Sequence, residues 1–96
     1  MIEEKSVRTK YSEGIERIYT YQITKQYEEN IIEYGIEAKR EDKSQGSIIK
    51  IVKSQIKNIS SDQDRMDEII NLLWRNEVSP IHLQDILSDY IDKYVS

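Results

Sequence analysis

The sequence predicts an α+β fold, an antiparallel β-meander of three to four strands followed by a C-terminal helical hairpin, in the order ββββαα. Composition divides sharply at Ile59: residues 1–59 hold 12 of the 17 isoleucines, five of the seven tyrosines and no leucine, and all four leucines follow. Ile and Tyr pack well on a pleated surface and Leu is a strong helix former, so the first part reads as sheet and the second as helix. The apolar period changes at the same place, from two to a helical spacing. We take 1–96 as a single domain with a sheet part, 1–59, and a two-helix part, 60–96.

Residues 2–10 are the weakest strand, dense in charge as suits a protected edge, and lead through Tyr11-Ser12-Glu13-Gly14 to the next. Ile15, Tyr19, Tyr21 and Ile23 then alternate with Glu16, Thr20, Gln22 and Thr24, with Ile18 the exception on the outer face. After Glu28-Glu29-Asn30 the alternation resumes as Ile32, Tyr34, Ile36 and Ala38, which makes an antiparallel hairpin. Glu41 to Gly46 reads as a turn, and Ser47–Lys57 as a last strand whose parity slips between Ile51 and Val52, where a bulge or two partly covered faces are expected. In the second part a serine ahead of Asp62 and Asp64 caps a helix with the stripe Met66, Ile69, Ile70 and Leu73. That helix is expected to stop near Glu77. Pro80 opens a second helix with Ser79 as its cap and the stripe Leu83, Ile86, Leu87, Tyr90, Ile91 and Tyr94.

The chain has no cysteine, which excludes disulfides, thiolate metal sites and a cysteine nucleophile. Apolar residues make up 38 %, about 41 % with the three glycines, and charged residues 33 %, against ordinary values of ~45–50 % (glycine included) and ~25 %. At this length folding hides only roughly 60–68 % of the surface of the unfolded chain, which leaves little room for an enclosed pocket. A net charge of −4 gives no overall attraction for a polyanion. The average hides a split, +1 over residues 1–59 and −5 over 60–96. No apolar run approaches the ~20 residues that cross a bilayer, and the N-terminus opens on acid rather than on a basic leader, so a cytoplasmic protein with no membrane contact is expected.

Few residues offer chemistry. His82 precedes Asp85 by one helical turn and Asp89 by two, but one imidazole with flexible surface carboxylates is a sparse ligand set, so a solvated helix face is the expectation. Glu28-Glu29 and Glu41-Asp42 read as solvated turn charges, and Ser44, Ser60, Ser61 and Ser79 have turn or capping work instead of an oxyanion hole. Gly14, Gly35 and Gly46 are too dispersed for a phosphate loop. No catalytic residue, metal or cofactor is expected. Lys39, Arg40, Lys50, Lys53 and Lys57 form a possible basic patch that, with exposed tyrosines, would bind RNA or single-stranded nucleic acid. The apolar residues outside the core stripes, Ile18, Ile31, Ile49 and Leu72, mark a possible interaction surface, best sited on the sheet face that the helices leave open.

Asn58-Ile59-Ser60, Leu72-Leu73, Val78-Ser79-Pro80-Ile81-His82-Leu83 with Asp85, and Tyr34-Gly35-Ile36 resemble an uncharacterised family of small proteins of about this length from spore-forming anaerobic Gram-positive bacteria. The resemblance covers most of the chain and implies a bacterial protein, with no activity, substrate or cofactor. The expected function is a small protein-interaction or regulatory module, self-associating as a dimer through its sheet or bound to another protein. Nucleic-acid binding is the alternative, and a His82-centred or metal-dependent enzyme the third reading.

Overall fold

A computed structural model describes residues 3–94; Met1 and Ile2, where the first strand was expected to start, lie outside the described residues, as does the side chain of Tyr94. Four strands, β1 (Glu4–Ser12), β2 (Ile15–Glu28), β3 (Ile31–Ser44) and β4 (Ser47–Ser60), form one antiparallel sheet in sequence order. Helix α1 (Gln63–Arg75), a single 3₁₀ turn (Pro80–His82) and helix α2 (Leu83–Tyr94) follow and pack on one face. This is the ββββαα arrangement that the change of period predicts.

The strands are longer than the alternation alone indicates because their turns are minimal. Glu29-Asn30 and Gln45-Gly46 each have positive φ at both residues, 47° and 68°, 51° and 81°, the geometry of two-residue hairpin turns that match strand twist. Glu41 to Ser44, expected in a turn, therefore belong to β3. Charge explains the difference: Asp42 lies across from Arg17 on β2 and pairs with it at 3.4 Å, and Glu16 lies across from Lys43, so opposite charges face one another along the hairpin. The bulge also moves. Ile51 and Val52 sit in unbroken register with Glu41 and Arg40, and the irregularities fall at Ile49 and between Ile56 and Ser60.

The face under the helices carries Tyr19, Tyr21 and Ile23 from β2 and Tyr34, Ile36 and Ala38 from β3, which meet Met66, Ile69, Ile70 and Leu73 of α1 and Leu83 and Leu87 of α2. Asp62 rather than a serine caps α1, accepting from the amides of Asp64 and Arg65, while Ser60 Oγ accepts from the amide of Asp62. Ser79 makes no side-chain cap. Its buried hydroxyl has no hydrogen-bond partner, and the corner is closed instead by the His82 amide donating to the Ser79 carbonyl. Trp74 Nε1 donates to the Ser6 carbonyl, and Lys5 Nζ lies 4.0 Å above the indole, which ties β1 to α1.

Tyr21 is the deepest polar contact between the layers, its hydroxyl donating to the Val78 carbonyl at 2.8 Å. Burial pushes its pKa above the ordinary tyrosine value. The folded state thus holds this proton more tightly than the unfolded chain, so the stability it contributes is complete below about pH 10 and declines as pH rises further. Tyr21→Phe is expected to cost about 1–3 kcal/mol at pH 7, because the Val78 carbonyl is left unsatisfied, and to flatten the loss of stability above pH 10. Urea denaturation at pH 7, 10 and 11 checks both effects.

Candidate interaction surface

The length mismatch between the layers sets what stays exposed. Strands of 14 residues run ~46 Å at ~3.3 Å per residue, whereas the 13 residues of α1 span only ~20 Å. The helices cover the middle of the sheet and leave both of its ends and the opposite face, and β1 and β4 are the outer strands, each with a strand on one side only among the described residues.

That opposite face is polar. Its cross-strand rows read Glu4, Gln22, Glu37, Gln55, then Ser6, Thr20, Lys39, Lys53, then Arg8, Ile18, Glu41, Ile51. Ser6 and Thr20 share a hydrogen bond, Arg8 pairs with Glu16, and Lys39 pairs with Glu41. Of the exposed apolar residues, Ile48 and Ile51 stand on this face at its β4 side, and the others lie at the β4 bulge, at the ends of the sheet and on the 3₁₀ turn.

The bulge at Ile49 is responsible on β4. Ile48 stands opposite Lys43 and Ile51 opposite Glu41, so the extra residue puts both isoleucines on the same face despite their odd spacing. Ile48, Ile49 and Ile51 are 49, 58 and 51 % exposed. Beyond them Lys50 to Ile56 runs in regular register with β3 on one side and has no strand on the other. Among the described residues, none of the β4 lysines Lys50, Lys53 and Lys57 has an ion-pair partner. Lys53 also stands directly opposite Lys39, an unfavourable like-charge pair.

The four apolar residues singled out from the sequence do not form one patch. Ile18 lies half-buried on the open face, separated from Ile51 by Glu41. Ile49 is the bulge on the β4 edge, and Ile31 begins β3 beside the turn at the far end of the sheet, 11 residues or roughly 36 Å from the Asp42 row. Leu72 is on the helix layer, in a shallow groove of about 590 Å³ with Ile86 and Tyr90. Ile48 and Ile51, read from the sequence only as part of an apolar-rich run, complete the exposed edge. The basic patch is likewise divided. Lys39 and Lys53 share the open face, Lys50 and Lys57 are exposed along β4, and Arg40 is buried on the helix side, bidentate to Asp42 at 3.1 and 3.3 Å. Of the tyrosines that could stack on bases, Tyr19, Tyr21 and Tyr34 are in the core, while Tyr27 is exposed on β2 near the turn at the far end of the sheet.

At the far end the β2–β3 hairpin outruns its neighbours. Among the described residues, the register of β1 with β2 reaches Glu4 and Gln22, with the Ile23 amide donating to the Glu3 carbonyl just beyond, and that of β4 with β3 reaches Ser60 and Tyr34. Residues 25–33 therefore project as a two-stranded finger, with Tyr27, Ile31 and Ile32 exposed beside Glu28, Glu29 and Glu33. At the opposite end a cleft of about 690 Å³ opens between the two remaining hairpins, lined by Tyr11, Ile15, Lys43 and the turn residues. Arg17 stacks on Tyr11 at 3.3 Å and lies 3.4 Å from Asp42. His82, Asp85 and Asp89 are exposed, and no group of three or more His, Asp or Glu side chains among the described residues is placed to hold a metal ion.

Comparison with protein-family models matches residues 1–93 to a family described as being of unknown function, DUF6514. No curated protein and no solved structure matches the chain.

Proposed function

The chain belongs to the DUF6514 family, and we propose that it is a small protein-interaction module, not an enzyme, that works through the free edge of β4. The observation that carries this reading is the edge itself: a long strand with no neighbour on one side, three half-exposed isoleucines and three unpaired lysines. An uncovered apolar edge is a template for another strand, through main-chain hydrogen bonds for affinity and alternate side chains for selectivity. By contrast β1, the other edge, is short and alternates Lys5, Val7 and Thr9 against Glu4, Ser6, Arg8 and Lys10. A protein partner accounts for the isoleucines better than a nucleic acid does, since Tyr19, Tyr21, Tyr34 and Arg40 are withdrawn into the interior and the exposed Tyr11 and Tyr27 lie at the two ends of the sheet, on β1 and β2 and not on β4. We place the module in the cytoplasm of a spore-forming anaerobic Gram-positive bacterium, as the sequence resemblance implies; no helix among the described residues is long and apolar enough to cross a membrane.

A photo-crosslinking residue substituted at Ile51 and expressed in the native host tests the reading. A discrete protein adduct is expected from Ile51 and none from the same residue at Gln22, in the middle of the open face. Absence of an adduct at Ile51, or equal labelling at the two positions, overturns it.

A further inference from the structure

Six of the eight large hydrophobic residues exposed in the described chain fall in two places: Tyr27, Ile31 and Ile32 on the finger, and Ile48, Ile49 and Ile51 on β4. The two places carry opposite charge. Residues 25–33 hold three glutamates and one lysine, Lys25, which pairs with Glu3, whereas β4 holds three lysines and no acid. They lie at opposite ends of the sheet and cannot meet within one chain. Resting on the reading that β4 is an interaction edge, we propose that its occupant is a second copy of this chain, arranged antiparallel so that the acidic finger of each copy lies along the basic β4 edge of the other.

A twofold arrangement exchanges the ends of the two sheets, so both finger-to-edge contacts form at once and the assembly closes as a dimer. The finger is suited to donate a strand. It has no neighbour beside Ile31–Glu33, and a two-stranded ribbon standing alone in water is only marginally stable, so covering it orders both partners. The three lysines disfavour the simpler pairing of β4 with β4, which would bring six like charges to one seam, and they favour a strand that carries carboxylates. A glutamate laid beside Lys53 also relieves its opposition to Lys39.

Sedimentation velocity on the full chain with charge-reversed variants decides the matter. The unmodified protein is expected to sediment as a dimer at low salt and to dissociate as salt is raised. K53E/K57E and E28K/E29K are each expected to weaken the dimer roughly tenfold or more, and an equimolar mixture of the two to restore it, because each finger then meets an edge of opposite sign. Both pairs are on exposed positions, and restoration by mixing also excludes misfolding as the cause of the loss. A monomer at all salt concentrations, or dimers indifferent to both reversals, overturns the proposal. If the monomer nevertheless crosslinks through Ile51 to a different protein, self-association fails and the interaction reading stands.

Discussion

Gly35→Ala is expected to lower stability by about 3 kcal/mol, the upper end of what overpacking costs, because the atoms it meets are backbone. A β-carbon at Gly35 would run into the Ile56 carbonyl oxygen and come within 2.9 Å of both Lys57 Cα and the Thr24 hydroxyl. Gly35 sits where β4 bulges between Ile56 and Ser60 to turn toward α1, and the bulged strand crosses the site a side chain would occupy. A flexible side chain could swing away, but the bulge cannot without breaking the Tyr34–Ser60 and Ile36–Ile56 pairings. For a domain of this size a loss of ~3 kcal/mol lowers the melting temperature by more than ~10 °C. Thermal denaturation followed by circular dichroism reads it. A midpoint within about 2 °C of the unmodified protein would mean that β4 does not close over Gly35.

Asp42→Ala is the second large effect, with an expected loss of about 3–5 kcal/mol. Arg40, almost fully buried, donates through Nε and Nη2 to Asp42, and Arg17 approaches the same carboxylate from the next strand. Removing the aspartate leaves two guanidinium groups facing one another, one of them with little access to water. Replacing Arg40 and Asp42 together by leucine is expected to be much milder, since it removes the buried charges along with their attraction. Urea denaturation of the single and double variants distinguishes the cases; equal losses would show that packing, not charge, holds this end of the sheet.

These two residues also mark where the sequence stops being legible. The strands of the first hairpin, the helical stripes and the α+β order follow from local alternation and spacing, which depend on neighbours a few residues apart. Asp42 looks like a solvated turn charge because its pairing with Arg40 needs residues 41–44 to be strand and not turn, and its other partner, Arg17, lies 25 positions away and is brought to it only by the completed register. Gly35 shows no local need for glycine; its requirement comes from a bulge in a different strand. The exposure of Ile48 and Ile51 is hidden for a similar reason. A parity slip signals a bulge but not its position, and no pattern within β4 tells how far a helix of 13 residues reaches along a strand of 14.

That mismatch of reach shapes the surface of the molecule. Two short helices stabilise the centre of a sheet more than twice their length, and the apolar residues left over lie at its free edge and projecting finger. Exposed β-branched residues on an unpaired strand invite indiscriminate pairing, and the lysines of β4 restrict which strand is accepted.

Hydrogen exchange of the β4 backbone amides between Lys50 and Ile56 measures most directly whether this edge is a binding surface. The inward half of these amides is bonded to β3 and is protected in any case. The outward half is expected to be protected at high protein concentration and low salt, and to exchange rapidly once dilution or salt removes the partner. Outward amides that exchange as fast as those of the free β1 edge under every condition, at high concentration and in the presence of host extract alike, would contradict the account.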